Sequence, residues 1–170
     1  MRVAIITSSD SGYAGEREDK SGPVIAEMVT AAGYTVVSQE ILPDDYEMLT
    51  KRMAEICDSH GAELILTTGG TGFSVRDIMP EATAAVCERM VPGIPEAMRA
   101  YSMQFTPRAM LSRAASGIRK RTLIVNMPGS PKAVRESLDF ISHTLDHGLG
   151  ILRGSASKYD WKKIDFGGWE

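Results

Sequence analysis

Two aspartates and a cluster of glycines hold most of the chemical content of this 170-residue sequence. Gly69, Gly70 and Gly72 fall within four residues, between Thr67, Thr68 and Thr71, and Arg76 and Asp77 follow on the same segment. Glycines at this density let a backbone come close to a ligand and turn its amides toward it. Pro80 and Glu81 mark a helix start directly after, and exposed amides near a helix start favour an anionic group, phosphate first. The run lacks the Gly-Lys-Ser/Thr ending of a P-loop, and no G-x-G-x-x-G follows the first strand. Taken alone, the turn fits a tight structural bend as well as a ligand loop.

Carboxylates shift that balance. Asp44 and Asp77 each follow an apolar run, so a parallel sheet would bring both to one edge of a cleft. Two acids beside a phosphate repel it unless a cation intervenes. A magnesium ion held by Asp44, Asp77, phosphate oxygens and water resolves the conflict and would stabilise charge in phosphoryl or nucleotidyl transfer. The bland readings are a helix cap for Asp44 after Pro43 and an ion pair with Arg76 for Asp77.

Two further segments belong to the same edge. Residues Ser8 to Ser21 make a longer connection than a strand and a helix usually need, so a lid or a substrate contact through its charged segment, Asp10, Glu16, Arg17, Glu18, Asp19, Lys20 and Ser21, is expected beside the bland reading of a solvated face. Asp19 and Ser21 read equally well as helix caps. The other segment is Asn126 to Ser130, with Pro128 and Gly129 inside it. His60, His143 and His147 form no zinc pattern, and Ser8, Ser9 and Ser130 lack the histidine and acid of a hydrolase triad. Cys57 and Cys87 sit in helical apolar patterns and read as buried thiols.

These groups need a scaffold, and the apolar periodicity supplies one. Short runs at Val3 to Thr7, Tyr34 to Leu42 and Leu64 to Thr68 alternate with helical patterns at Pro23 to Gly33 and around Leu49, Met53, Ile56 and Cys57. Ala82 to Met90 and Pro95 to Phe105 read as helices broken at Pro92-Gly93. Ser112 to Ile118 and Arg121 to Asn126 have the spacing of a hairpin turning at Arg119 and Lys120, and a last helix carries Val134, Leu138, Ile141 and Leu145 on one face. The expected fold is a three-layer α/β/α domain with a mostly parallel sheet and one antiparallel edge strand. Residues 1–150 form this single domain, and residues 151–170 a tail packed on it or extending from it. The Met-rich stretch from Met90 to Met110 reads as core or subunit contact.

A formal charge of -3 argues against a general nucleic-acid binder. No apolar stretch approaches the roughly 20 residues of a membrane span, and the N-terminus runs straight into a strand, so a cytoplasmic, reduced setting is expected.

The sequence resembles the molybdopterin adenylyltransferase family of molybdenum cofactor biosynthesis, which includes MogA-like and MoaB-like proteins and the G domain of gephyrin. The likeness runs from Arg2 to Leu149 through Ser9-Asp10, Asp19-Lys20-Ser21-Gly22, Pro43-Asp44, Thr67 to Ala82, Leu111-Ser112-Arg113 and Met127-Pro128-Gly129-Ser130-Pro131. It implies a homotrimer and magnesium-dependent transfer of adenylate from ATP to molybdopterin, releasing pyrophosphate. In that light Asp44 and Asp77 match the acidic pair of catalysis and metal handling. Thr68, Gly69, Gly70, Thr71 and Gly72 match the turn at the ligand pocket, and Pro128, Gly129 and Ser130 a second pocket loop. Transient contact with a molybdenum insertion protein is also implied. The MoaB-like branch suggests an alternative: molybdopterin binding or assembly without efficient transfer.

Overall fold

The computed structural model describes residues 1–154. Six strands form one sheet in the order β2-β1-β3-β6-β5-β4. β1 (Arg2–Ser8), β3 (Leu64–Thr68) and β6 (Thr122–Met127) are buried along nearly their whole length, as unbroken Val/Ile/Leu runs require when helices cover both faces. β2 (Thr35–Leu42) alternates exposed and half-buried residues, the pattern of an edge strand. β1, β2, β3 and β6 are parallel, and their register levels the strand ends: Ser8 lies opposite Leu42, Thr7 opposite Thr68, and Thr68 opposite Met127. The expected ligand edge is therefore a real row.

The period of two along a strand divides the core into two layers. Val3, Ile5, Leu64, Leu66 and Val125 face α2 (Ser21–Ala31), α5 (Gly93–Ser102) and α6 (Pro131–Leu152). Ala4, Ile6, Ile65 and Ile124 face α3 (Tyr46–Asp58) and α4 (Met79–Val86). Val134, Leu138, Ile141 and Leu145 are all buried, as the 3.6-residue spacing requires. Truncating a fully buried member such as Leu66 to alanine costs about 3 kcal/mol.

The helix read over Pro95 to Phe105 is displaced to Gly93–Ser102, with Pro92 at its N-cap, and three other boundaries differ from expectation, each for a local reason. The helix read over Ala82 to Met90 stops at Val86, because Cys87 turns extended and the chain joins the free side of β5 (Ser116–Arg119). There the amides of Glu88 and Val91 donate to the carbonyls of Ile118 and Ser116, and Arg89–Met90 becomes a two-residue strand, β4. Gly117 allows this approach, since a Cβ on it would fall 2.6 Å from the Cys87 Sγ. The hairpin arm read as Ser112 to Ile118 becomes a strand only from Ser116, after a 3-10 turn at Pro107–Leu111. The antiparallel strand is present as β5, with β4 outside it. Within the loop after β1, Ser9 caps a one-turn helix, α1 (Asp10–Tyr13), which the charged composition concealed.

α6 continues through Leu152, and residues 155–170 of the expected tail lie outside the described residues. Among the described residues no helix is long and apolar enough to cross a membrane.

Candidate ligand-binding cleft at the strand ends

Asp44 stands between the loops that follow β1 and β2. Ser8 Oγ donates to its Oδ1 at 2.5 Å, and the Asp10 amide donates to its Oδ2 at 3.1 Å. The Asp44 amide returns a bond to Asp10 Oδ1 at 2.9 Å, so the two aspartates clasp each other reciprocally. The cap of α3 falls to Asp45, whose Oδ1 accepts from the Met48 amide at 2.8 Å. Helix capping therefore does not explain Asp44.

Arg76 was an expected partner for Asp77, yet its guanidinium pairs with Asp10 through two bonds of 2.9 Å. That fork holds the Asp10 carboxyl below the usual aspartate range. Asp77 instead turns inward on its own loop, accepting from the Ser74 amide at 2.7 Å through Oδ2. The glycine turn lies between the two acids. A Cβ on Gly70 would stand 3.4 Å from Asp44 Oδ1, and one on Gly72 would stand 2.9 Å from Asp77 Oδ2.

The turn itself requires glycine at its first position. Gly69 has φ +88°, and a Cβ there would lie 2.2 Å from the Ser8 carbonyl oxygen. Its backbone can therefore press against the end of β1. Side chains tie the neighbouring loops together: Thr68 Oγ1 donates to the Pro128 carbonyl at 2.6 Å, and Ser21 Oγ to the Gly129 carbonyl at 2.9 Å. Thr71 is buried, and its carbonyl accepts from the Arg113 amide at 2.9 Å.

Two of the proposed contact residues have structural work. Asp19 Oδ1 accepts from the amides of Ser21 and Gly22, and its Oδ2 accepts from Thr7 Oγ1 at 2.6 Å. It caps α2 while anchoring that helix to β1. Ser130 caps α6 by accepting from the Ala133 amide at 3.2 Å.

Arg113 was given no role by sequence beyond its place in a matching segment. Its Nε donates to the Gly72 carbonyl at 2.7 Å, its Nη2 to the Asp77 carbonyl at 2.5 Å, and its Nη1 pairs with Glu81. The side chain staples both ends of the loop from Gly72 to Asp77. No local spacing announces this, since Arg113 and Asp77 lie 36 residues apart.

Two cavities open beside the turn. The larger, 590 Å³, is lined by Ser9, Ser21, Gly69 and Gly129 and by charges of both signs, Arg17 and Lys20 beside Glu16, Glu18 and Asp19. The smaller, 300 Å³, includes Thr71, Gly72, Met98, Leu111, Pro128 and Gly129 in its wall. Gly129 borders both.

No group of three or more acidic, histidine or cysteine side chains among the described residues could hold a metal ion. Asp44 and Asp77 place one carboxylate on each side of the glycine turn. Burial pushes the Cys57 thiol up to about 11 and the Cys87 thiol up to about 12, so both stay protonated and unreactive at neutral pH.

Comparison with known proteins gives a consistent family. Residues 4–147 match the family described as "Probable molybdopterin binding domain". Molybdopterin adenylyltransferase from Helicobacter pylori is 36% identical over 166 residues, covering 96% of this chain and 94% of the relative. The Escherichia coli K12 molybdopterin adenylyltransferase is 40% identical over 141 residues, covering 82% and 72%. The crystal structure of the molybdopterin biosynthesis enzyme MoaB from Thermus thermophilus superposes with a TM-score of 0.86 at 44% identity, covering 92% of this chain and 99% of that one. The chain belongs to the MogA/MoaB-like molybdopterin-binding family of molybdenum cofactor biosynthesis.

Proposed function

We propose that the cleft binds molybdopterin and serves molybdenum cofactor biosynthesis. The observation that carries this reading is the meeting of two differently built cavities at one glycine turn flanked by Asp44 and Asp77. A phosphate on the ligand would rest against the backbone amides of Gly69, Gly70 and Gly72. The H. pylori and T. thermophilus proteins share molybdopterin in their names, and the present cleft has room for it.

A second reading adds adenylyl transfer from ATP, favoured by Arg17 and Lys20 in the wall of the larger cavity. A terminal phosphate oxygen of molybdopterin would attack the α-phosphorus of ATP, the bond to the β-phosphate would break, and pyrophosphate would leave with the electron pair. Magnesium, held by Asp44 and Asp77 with phosphate oxygens, would supply charge neutralisation. The chain's own part is to align the two phosphates on the glycine turn and to screen the leaving pyrophosphate with Arg17 and Lys20. Under this reading Ser9, Asp10, Ser21 and Thr68 hold the loops around the ligand. A homotrimer would bury the exposed Met103, Phe105, Met110 and Leu111, and transient contact with an insertion protein would pass the product on.

One titration series separates the readings. Tight molybdopterin binding with ATP unconsumed supports binding alone. Pyrophosphate release that needs ATP, magnesium and molybdopterin together, and that Asp77→Asn abolishes without unfolding, supports transfer. Failure to bind molybdopterin overturns both.

A further inference from the structure

A third cavity, of 450 Å³, lies between α5 and the C-terminal half of α6, with Ile118 of β5 and Leu123 of β6 in its wall. Ile94 and Ala97 line it from α5, and Phe140, Leu145, Leu149 and Leu152 from α6. Thr144 is the one lining residue with a hydrogen-bonding side chain. A slot of this composition holds neither phosphate nor a polar ring, and calls for apolar side chains. Phe140, the first α6 residue along it, is 43% exposed. Contiguous apolar surface left open in this way marks a site that something covers.

The chain supplies an occupant at the right place. α6 ends at Leu152, which lines the slot, and Gly154 then takes φ +73°, so the backbone turns off the helix axis. A Cβ on Gly154 would lie 3.9 Å from Arg121 Nη2, which puts the exit beside the start of the strand that carries Leu123. Residues 155–170 lie outside the described residues, and their sequence is SASKYDWKKIDFGGWE. Ser155, Ala156 and Ser157 are too small to fill a cavity, but Tyr159, Trp161, Ile164 and Phe166 follow within eight residues. From Leu152 back to Phe140 the slot follows α6 for about 18 Å, a distance that roughly six extended residues span. Trp161 is seven residues beyond Gly154, so its reach is sufficient.

We propose that the segment Tyr159 to Phe166 turns back along α6 and lays Trp161 in this slot, between Ile94 and Ala97 on one side and Leu145 and Leu149 on the other. The exit of the chain at the slot's own end favours this segment over a second copy, because docking within one chain works at a high effective concentration. Occupancy has a consequence for the ligand cleft. α5 presents Ile94 and Ala97 to the slot and Pro95 and Met98 to the smaller cavity beside the glycine turn. A filled slot therefore braces the helix that walls that cavity.

Trp161 and Trp169 are the only tryptophans of the chain, so intrinsic tryptophan fluorescence reads this segment alone. In the full chain carrying Trp169→Phe, native emission should be blue-shifted and less quenched by acrylamide than that of the same protein in urea. Thr144 is exposed on α6, so Thr144→Glu puts a charge in the slot without disturbing the core. Far-UV circular dichroism should then be unchanged, while the emission moves to the red and the protection from acrylamide is lost. Thr144→Val keeps the slot apolar and should retain both. Trp161→Ser should quicken amide exchange in α5 and leave β3 as it was. Native emission and quenching equal to those in urea overturn the proposal, and so does an emission that Thr144→Glu leaves blue-shifted. Protection that disappears on dilution assigns the slot to a contact between copies and overturns it as well.

Discussion

Arg76 grips Asp10 with two hydrogen bonds of 2.9 Å, latching the tip of the glycine loop to the segment that follows β1. The base of that loop is fixed elsewhere, by Arg113 and by the bond from the Met79 amide to the Gly70 carbonyl. The tip between, where Phe73 and Val75 are exposed, has the latch as its tie across the cleft.

Replacing Arg76 with alanine should leave the fold intact, because both partners face solvent. The readout is local: amide exchange at residues 73–76 should quicken while exchange in β3 stays unchanged. The pH dependence has a definite sign. Arg76 holds the Asp10 carboxyl below its ordinary value, so the latch is fully present above the usual aspartate range and is lost as pH falls through the lowered value. Exchange rates of the two proteins should therefore converge in acid.

Asp44 and Asp45 are neighbours with separable duties. Asp45→Ala removes the cap of α3 and should cost about 1 kcal/mol in chemical denaturation, with ligand affinity unaltered. Asp44→Asn should do the reverse, preserving most of the stability while reducing magnesium-dependent nucleotide binding. Equal effects of both changes on binding would remove Asp44 from the site.

Arg113→Lys retains a positive charge but loses the geometry that reaches two carbonyls at once. Leaving the Gly72 and Asp77 carbonyls without their donor should cost about 2 kcal/mol, measurable by urea unfolding. Ligand affinity should fall further than stability alone explains, because the staple sets the spacing between Gly72 and Asp77.

Two glycine substitutions should act in opposite directions. Gly69→Ala places a Cβ against the Ser8 carbonyl in a left-handed backbone, with a penalty of roughly 3 kcal/mol. Gly148 lies inside α6 with open space around it, so Gly148→Ala should gain about 0.5 to 1 kcal/mol. Thermal denaturation of the pair gives both signs in one experiment.

Much of the scaffold was legible because its signals are local. Val134, Leu138, Ile141 and Leu145 announce one helix face, and the unbroken apolar run at Leu64 to Leu66 announces a central strand. β4 was hidden because Arg89 and Met90 are held by the free side of β5 and have no pattern of their own. In the cleft, the glycine turn and both aspartates could be read from type and spacing. Their partners could not: Arg76 with Asp10 and Arg113 with Gly72 depend on tertiary distance. Asp19 showed the limit of composition alone, since one carboxylate in a charged loop reads equally as contact or cap.

A buried amide lies under all of this. Asn126 is fully buried on β6, donates from Nδ2 to Thr67 Oγ1 at 2.9 Å and to Thr83 Oγ1 at 2.8 Å, and accepts from the Ala115 amide at 3.0 Å. One side chain thus joins two strands, a helix and the approach to β5. None of these can open without stranding a polar group in the core, so the floor of the cleft should melt only with the whole molecule. Ligand-driven motion is then confined to the loops above it, and the Ala115 amide becomes a gauge of global rather than local opening.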